Sequence, residues 1–247
     1  MVVIHDAAAL REPEWYTPLY VAWQRRVLPA VARRARHVVT VSEFSKAELV
    51  ELLGVPPAKV SVIPGGVGEA FRADADVAVA RTRLGLDGPY VLAVASATAR
   101  KNLQALVPLA EAGVQVVVAG GGRPQFAEEE GLGALRRLGH VDDALLPGLY
   151  AGAEVVAVPS RHEGFGLIAL EAMASGTPVV AARAGALPDT VGDAGVVADD
   201  IPGAVQALLA DDAERARLRD AGLVRAARFT WDRTAREVDA LLSAPGA

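Results

Sequence analysis

The chain has 247 residues, of which 52% are hydrophobic and 5% aromatic, and it carries a net charge of −5. This length accommodates one or two domains with a sizeable core, and the negative charge argues against a nucleic-acid-binding protein. The sequence has no cysteine, which excludes disulfides and cysteine-bound zinc; it shows neither an apolar run near the ~18 residues of a membrane span nor a basic leader, so a cytoplasmic location is expected.

The first third of the chain is helical and basic. Apolar and helical patterns predict strands at residues 2–5, 38–41 and 60–64 and helices at 18–36 and 45–53. Ser42 stands where a helix N-cap is expected. Five arginines lie among apolar residues in the helix at 18–36. This pattern is typical of a helix on a membrane surface, which would suit a lipid-linked acceptor, but a basic face exposed to solvent is the simpler interpretation.

The rest of the chain alternates strands and helices. Strands are predicted at 90–95, 114–119, 138–141, Val155–Val158, 178–182 and 195–197. Helices are predicted at Val77–Leu84, 103–112, 126–137, 144–151, 167–175, 186–191, 201–210, 212–227 and Trp231–Ser243. Alternation of this kind predicts an α/β fold with a doubly wound parallel sheet. The polar stretch near residue 72 divides the chain into a predicted first domain, 1–72, and a second, 73–247.

The segment from Glu163 to Glu171 carries the strongest functional signal. It places a glycine-rich turn between a buried strand and a helix, an arrangement that presents backbone N–H groups to an anion. At ~1.5 Å per residue the two carboxylates are separated by roughly 10 Å or somewhat more. That separation suits two ends of an elongated ligand better than a shared acid–base pair.

The same segment resembles the glutamate-x7-glutamate motif of retaining glycosyltransferases with the two-domain GT-B fold, of family 4, also called group 1. Glu-Gly-Phe-Gly-Leu from Glu163 and Glu-Ala-Met-Ala-Ser-Gly-Thr-Pro from Glu171 match the family pattern in one uninterrupted block. The resemblance implies a complete C-terminal Rossmann-like domain, preceded by part of an N-terminal Rossmann-like domain on the acceptor side. It also implies that the helix Trp231–Ser243 crosses back to the first domain. With only three strands at 1–72, the chain is expected either to lack most of the N-terminal domain or to receive it from a partner chain.

The resemblance also implies roles for individual residues. Arg100 and Lys101 would stabilise the departing diphosphate, since the sequence shows no metal-ligand cluster. Glu163 would reach hydroxyls of the transferred sugar, and Glu171 would hold the nucleotide ribose. The remaining implied contacts are the backbone N–H groups of Phe165, Gly166 and Leu167 to sugar or phosphate, the backbone of Val141 to the base, Gly120 near the phosphates, and His5 near the reacting sugar. The chain departs from the family in two ways: Ala95 replaces a usual glycine, and Ser96 and Ala97 stand where many members have an additional basic residue nearby.

The expected function is therefore transfer of a hexosyl group, with retention, from a nucleotide-diphosphate sugar to a glycan or lipid-linked acceptor. The segment is most similar to one found in mannosyltransferases that use GDP-mannose, which points weakly to that donor, and no cofactor is expected. Two alternatives stay open. The chain is a nucleotide-sugar-binding subunit or remnant that is inactive without a separate acceptor domain, or it is another enzyme of this fold, such as a phosphorylase or an epimerase. At most peripheral contact with a membrane is expected.

Overall fold

The protein contains two parallel β-sheets in a computed structural model that describes residues 1–121 and 130–243. The first sheet has three strands in the order β1-β2-β3, namely β1 (Val2–Val3), β2 (Val38–Thr40) and β3 (Val60–Val62). Its helices are α1 (Ala8–Arg11), α2 (Pro18–Arg34) and α3 (Glu43–Leu53), with short 3-10 turns at Pro13–Trp15 and Pro57–Lys59. Ser42 caps α3 as predicted, because its Oγ accepts a hydrogen bond from the Ser45 amide at 2.9 Å.

The second sheet has six described strands, all parallel, in the order β6-β5-β4-β7-β8-β9. The strands are β4 (Val91–Val94), β5 (Val116–Ala119), β6 (Arg136–Gly139), β7 (Val155–Val158), β8 (Val179–Ala182) and β9 (Val196–Ala198). The chain winds outward from β4 in one direction and from β7 in the other. This order is that of a doubly wound Rossmann-like sheet, in which ligands bind where the winding direction changes.

Helices cover both faces of the second sheet. The helices that follow β3 in the chain are α4 (Val77–Leu84), α5 (Val107–Glu111), α6 (Leu146–Ala151), α7 (Leu167–Ala174), α8 (Leu187–Val191), α9 (Ile201–Leu209), α10 (Asp212–Ala226) and α11 (Trp231–Ser243), with 3-10 turns at Leu103–Leu106 and Gly192–Ala194. None of the helices in the described ranges is both long enough and apolar enough to cross a membrane.

Two apolar clusters sandwich the second sheet. Leu92 and Val156 pack with α7 on one face, whereas their neighbours Val91 and Val155 pack with α9 on the other. Successive residues of a strand point to opposite faces, so a strand that is covered on both sides must be apolar throughout. This explains the continuous valine-rich runs of the central strands and holds β4 and β7 side by side at the centre of the sheet.

The predicted α/β class and the parallel doubly wound sheet are confirmed, whereas the predicted helix at 126–137 is wrong where it can be checked. Residues 126–129 lie outside the described residues, residues 130–135 form no helix, and β6 begins at Arg136. Both Arg136 and Arg137 are exposed because β6 is an edge strand, so the apolar signal of a strand is missing there.

Two of the predicted helices contain a proline beyond their first turn, and only one of these helices differs from the prediction in form. The predicted helix at 103–112 is a 3-10 turn followed by α5, with Pro108 in the first turn of α5, where its missing N–H costs nothing. Helix α2 instead continues through Pro29, a residue type that usually interrupts a helix. Most other boundaries differ by one or two residues.

The last helix begins against the segment that links the two sheets. The Val67 amide donates to the Phe229 carbonyl at 2.9 Å, and Thr234 Oγ1 donates to the Pro64 carbonyl at 2.7 Å. A Cβ added to Gly66 would lie 2.2 Å from the Trp231 nitrogen, so only glycine permits this backbone contact.

Candidate active site

The predicted site residues gather at the carboxyl ends of β4 and β7, where the winding direction of the sheet changes. Residues 95–102 follow β4, and residues 159–166 follow β7. The two loops are bound to each other: the Arg161 amide donates to the Arg100 carbonyl at 2.8 Å, and Asn102 Nδ2 donates to the Pro159 carbonyl at 3.1 Å. This crevice is where open α/β sheets bind their ligands.

Lys101 and Glu163 form a buried ion pair at this point. Lys101 Nζ lies 2.5 Å from Glu163 Oε1, and each residue is 8% exposed. Ser160 Oγ donates to the same oxygen at 2.7 Å, while Arg100 Nη1 lies 3.5 Å from Glu163 Oε2. One carboxylate therefore faces two cations and one hydroxyl. The net charge of the three ionised groups is positive.

The charges of this cluster set its protonation. Burial alone would raise the pKa of Glu163, but Lys101 and Arg100, together with the hydrogen bonds from Lys101 and Ser160, hold that pKa below its ordinary value. Burial lowers the pKa of Lys101, against the opposing effect of the Glu163 charge. Glu163 is therefore ionised and committed as a hydrogen-bond acceptor.

A cavity of about 660 Å³ opens beside this pair. Among its lining residues are four that the sequence singled out, namely Arg100, Lys101, Gly120 and Val141, together with Ala95, Ser96, His140, Asp143 and Ile168. Arg100 Nε is buried and makes no hydrogen bond within the described residues. The cavity thus combines cations with an apolar wall, which is the usual character of a small-molecule site.

Gly120 shapes the cavity through its backbone. Its φ is +142°, and an added Cβ would lie 2.2 Å from the Ala95 carbonyl oxygen. The Gly120 amide donates to the Gly139 carbonyl at 2.8 Å, which ties the end of β5 to β6. Gly120 therefore keeps the loops after β4 and β5 in contact, a packing role that the predicted proximity to phosphate did not include.

Glu171 lies on α7 and is held by a tyrosine that the sequence did not reveal. Tyr150 Oη donates to Glu171 Oε2 at 2.8 Å, and the Tyr150 side chain is fully buried. Burial raises the pKa of Glu171, the Asp143 charge adds to this, and the Tyr150 hydrogen bond opposes it. The sequence pattern predicts Tyr150 only as part of a helix, because a contact 21 residues away leaves no periodic signal.

The glycine turn before α7 has the predicted form. Gly166 is the N-cap residue with φ +95°, and no side chain of the described residues caps the helix. Phe165 packs edge-on against Phe229 with ring centroids 5.8 Å apart, and Leu167 is 36% exposed. Residue 185 fixes the other side of the turn: a Cβ on Gly185 would lie 2.3 Å from the Glu163 carbonyl oxygen.

His5 lies just beyond β1, which ends at Val3 and not at residue 5. The residue is exposed, and its carbonyl faces the turn, where a Cβ on Gly164 would lie 3.0 Å away. Tyr16, which belongs to no sequence motif, lies near enough for the charges of Arg100 and Glu163 to act on its hydroxyl. Burial raises the pKa of Tyr16 above its ordinary range, while the positive charge of Arg100 acts against this shift.

The fold and the site define a protein of the GT-B glycosyltransferase class, and solved structures agree. Sucrose-phosphate synthase from Thermosynechococcus elongatus superposes with a TM-score of 0.81 and 28% identity, over 98% of this chain and 66% of that one. Anabaena HepE, solved in complex with UDP and glucose, superposes with a TM-score of 0.80 and 22% identity, over 99% and 71%. The second likeness shows the fold alone.

The family follows from sequence comparison. Residues 88–211 match the model described as Glycosyl transferases group 1, and residues 1–70 match Glycosyltransferase Family 4, so the chain belongs to this family. O-antigen chain mannosyltransferase B of Escherichia coli is 31% identical over 94% of this chain and 67% of its own length. A D-inositol 3-phosphate glycosyltransferase from Xylanimonas cellulosilytica is 40% identical over 81% and 55%. The chain thus spans about half to two thirds of these curated relatives.

Proposed function

We propose that this chain binds a nucleotide-diphosphate sugar in the cavity lined by the loops after β4, β5 and β6 and by Ile168 of α7, and that it acts in transfer of the hexosyl group. The observation that carries the proposal is the buried cluster of Arg100, Lys101 and Glu163 at the switch point of the sheet. A departing diphosphate needs positive charge, and the cluster supplies two cations in a water-poor site.

The two carboxylates bind different parts of the donor. Glu163, fixed beside the two cations, accepts hydrogen bonds from hydroxyls of the transferred sugar. Glu171, fixed by Tyr150, accepts from the vicinal hydroxyls of the ribose, since a carboxylate can accept two such bonds. The base lies against Val141, and the backbone N–H groups at the start of α7 face the sugar or the phosphates.

Retention of configuration is part of the proposal. Glu163 is ionised but already accepts from Lys101 and Ser160, so it is poorly suited to act as a free general base. The leaving phosphate oxygen is then the group that takes the proton of the acceptor hydroxyl, on the same face of the sugar. His5, whose carbonyl lies beside Gly164, is proposed to lie near the reacting sugar.

The donor and the acceptor are proposed from the relatives. The name of the E. coli relative points to mannosyl transfer onto a growing glycan, which favours GDP-mannose as donor and a glycan or lipid-linked acceptor. HepE was solved with UDP and glucose, so the base has to be tested directly. A second candidate is a donor-binding subunit that needs a separate chain for the acceptor, because the described residues that line the cavity all lie between positions 94 and 168.

The test is a thermal-shift panel of GDP, UDP, ADP and TDP, followed by the matching nucleotide sugar. A ligand at about 100 times its dissociation constant should add roughly 2.7 kcal/mol of stability. We expect a shift with one nucleotide, with turnover then assayed by NMR of the anomeric proton of the product. A folded protein that shifts with none of the four would contradict the proposed donor site. Binding without turnover would favour the subunit, and an inverted anomer would contradict retention.

A further inference from the structure

Helix α3, which packs on the first sheet, carries a polar face that lies against the loop after β7. Ser42, Ser45 and Glu48 follow one another at intervals of three residues, so they lie on one side of the helix. Ser45 is fully buried and Glu48 is 3% exposed. Burying a polar group costs free energy unless the group is hydrogen-bonded, so these three side chains need hydrogen-bond partners.

All three side chains hold the loop at residues 161–166. The Gly164 carbonyl accepts from Ser42 Oγ at 2.6 Å and from Ser45 Oγ at 2.9 Å. Glu48 Oε2 lies 3.0 Å from His162 Nε2. The residues on either side of Glu163 are therefore both fixed by α3, while Glu163 itself faces Lys101.

The contact extends into both halves of the molecule. Among the helices beside the first sheet, Arg11 Nε donates to Glu48 Oε1 at 3.1 Å. The His162 ring packs edge-on against Trp15 and Phe44 of the same region. Beside the second sheet, the His162 carbonyl accepts from Arg100 Nη1 at 3.2 Å. Glu48 thus lies at the centre of a chain of contacts from α1 to the cation pair.

We propose that Ser42, Ser45 and Glu48 are positioning residues, which we call the α3 platform, and that they hold the turn so that the Glu163 carboxylate meets Lys101 and the transferred sugar. The role in sugar binding rests on the proposed function; the effect on the turn does not. The sugar-binding part of the site is then completed by a helix of the first sheet, whereas the nucleotide-binding part belongs to the second sheet alone.

Glu51 provides a matched control for Glu48. It lies three residues further along α3 and binds the same Arg11, with Arg11 Nη2 2.5 Å from Glu51 Oε2, but its side chain is 61% exposed and it lies outside the contacts with the turn. Glu48→Gln and Glu51→Gln each remove one carboxylate from Arg11. Only the first removes one from His162.

The experiment is hydrogen exchange of the full chain, read on the peptide that covers residues 160–167. We expect Glu48→Gln to raise its exchange rate on the order of tenfold relative to a peptide from β4, and Glu51→Gln to leave it unchanged. Ser45→Ala, which spares the Arg11 contacts, should raise it in the same direction if Glu48→Gln does not fold. Unchanged exchange in Glu48→Gln, or an equal rise in Glu51→Gln, would overturn the platform.

A binding measurement separates the platform from the proposed function. Glu48→Gln should leave the affinity for the nucleoside diphosphate unchanged and remove most of the extra affinity for the nucleotide sugar. A general loss of folding would lower both affinities together, which would contradict a positioning role. If wild-type protein binds neither ligand, the donor proposal fails while the exchange result still decides the platform.

Discussion

At the scale of single residues, the Lys101–Glu163 pair affects both the stability of the fold and the proposed function. Both groups are buried, and burying a charge is expensive unless a partner and hydrogen bonds compensate for it. The structure supplies the partner at 2.5 Å and a hydroxyl at 2.7 Å. Removing one member is therefore expected to cost far more than removing both.

Glu163→Gln should lower the free energy of unfolding by about 3–5 kcal/mol, because it leaves Lys101 as an uncompensated buried charge. Urea unfolding at neutral pH measures this loss. The double variant Lys101→Met/Glu163→Gln should recover at least half of it. A double variant as unstable as the single one would show that the pair does not act as a unit.

Glu171→Gln should weaken nucleotide binding at least tenfold, because the proposed charged acceptor for the ribose is lost. The same change should raise stability at neutral pH. A carboxyl whose pKa is higher in the folded chain binds more protons in the fold, so wild-type stability falls as pH rises between the unfolded and the folded pKa. The stability difference between Glu171→Gln and wild type should grow as pH rises above about 4.3, the ordinary pKa of a glutamate.

Thermal unfolding of both proteins across a pH series checks the stability effect, and calorimetric titration with the nucleotide checks the affinity. The introduced glutamine can still accept a hydrogen bond from Tyr150, so that bond itself is kept. A variant that is less stable than wild type at pH 7, with unchanged nucleotide affinity, would contradict both assignments.

At the scale of elements, two glycines allow close backbone contacts, one between loops at the cavity and one at the start of α11. Gly120 allows the loops after β4 and β5 to touch, and Gly66 allows α11 to start against the segment between the sheets. In each case the nearest atoms to an added Cβ belong to backbone, which cannot move aside as a flexible side chain would. Each contact has a neighbouring glycine that lacks this constraint.

Gly120→Ala should destabilise the protein by at least about 2 kcal/mol and weaken nucleotide binding, because the new Cβ meets the Ala95 carbonyl in a backbone conformation that alanine avoids. Chemical unfolding and nucleotide titration measure the two effects. Gly121→Ala is the control, since no atom of the described residues lies within 4 Å of its Cβ. Equal behaviour of the two variants would contradict the packing role of Gly120.

Gly66→Ala should lower the melting temperature by several degrees, since its Cβ would lie 2.2 Å from the Trp231 nitrogen and force α11 away from the segment between the sheets. Gly68→Ala, whose Cβ would make only an ordinary contact of 3.6 Å with Phe71, serves as its control. If Gly66→Ala has the same melting temperature as Gly68→Ala, α11 does not depend on this contact.

At the scale of the whole molecule, what the sequence predicts is what short-range patterns determine. The apolar runs that became β4, β5 and β7 are readable because both faces of the sheet are covered. The edge strand β6 is readable only in its second half, which overlaps the predicted strand at 138–141; the exposed Arg136 and Arg137 give its first half no apolar signal. Its pairing with β5, not its own composition, makes it a strand.

The site divides along the same line. Arg100, Lys101, Glu163 and Glu171 are found because they lie in contiguous motifs. Their supports are Ser160, Tyr150, Gly185 and the α3 platform, most of which come from distant parts of the chain and meet the motifs only in the folded structure. The predicted domain division at residue 72 and the predicted roles of the site residues, His5 included, stay predictions.

The most direct test of the account is the affinity ratio between the nucleoside diphosphate and the corresponding monophosphate, measured by calorimetric titration on wild type and Arg100→Met. Wild type is expected to prefer the diphosphate by at least about tenfold, a difference of about 1.4 kcal/mol. Arg100→Met should lose most of this preference, while the exposed control Arg161→Met keeps it. A wild-type protein that binds both nucleotides equally, or an Arg100→Met protein with an unchanged ratio, would contradict the assignment of this cation cluster to the diphosphate.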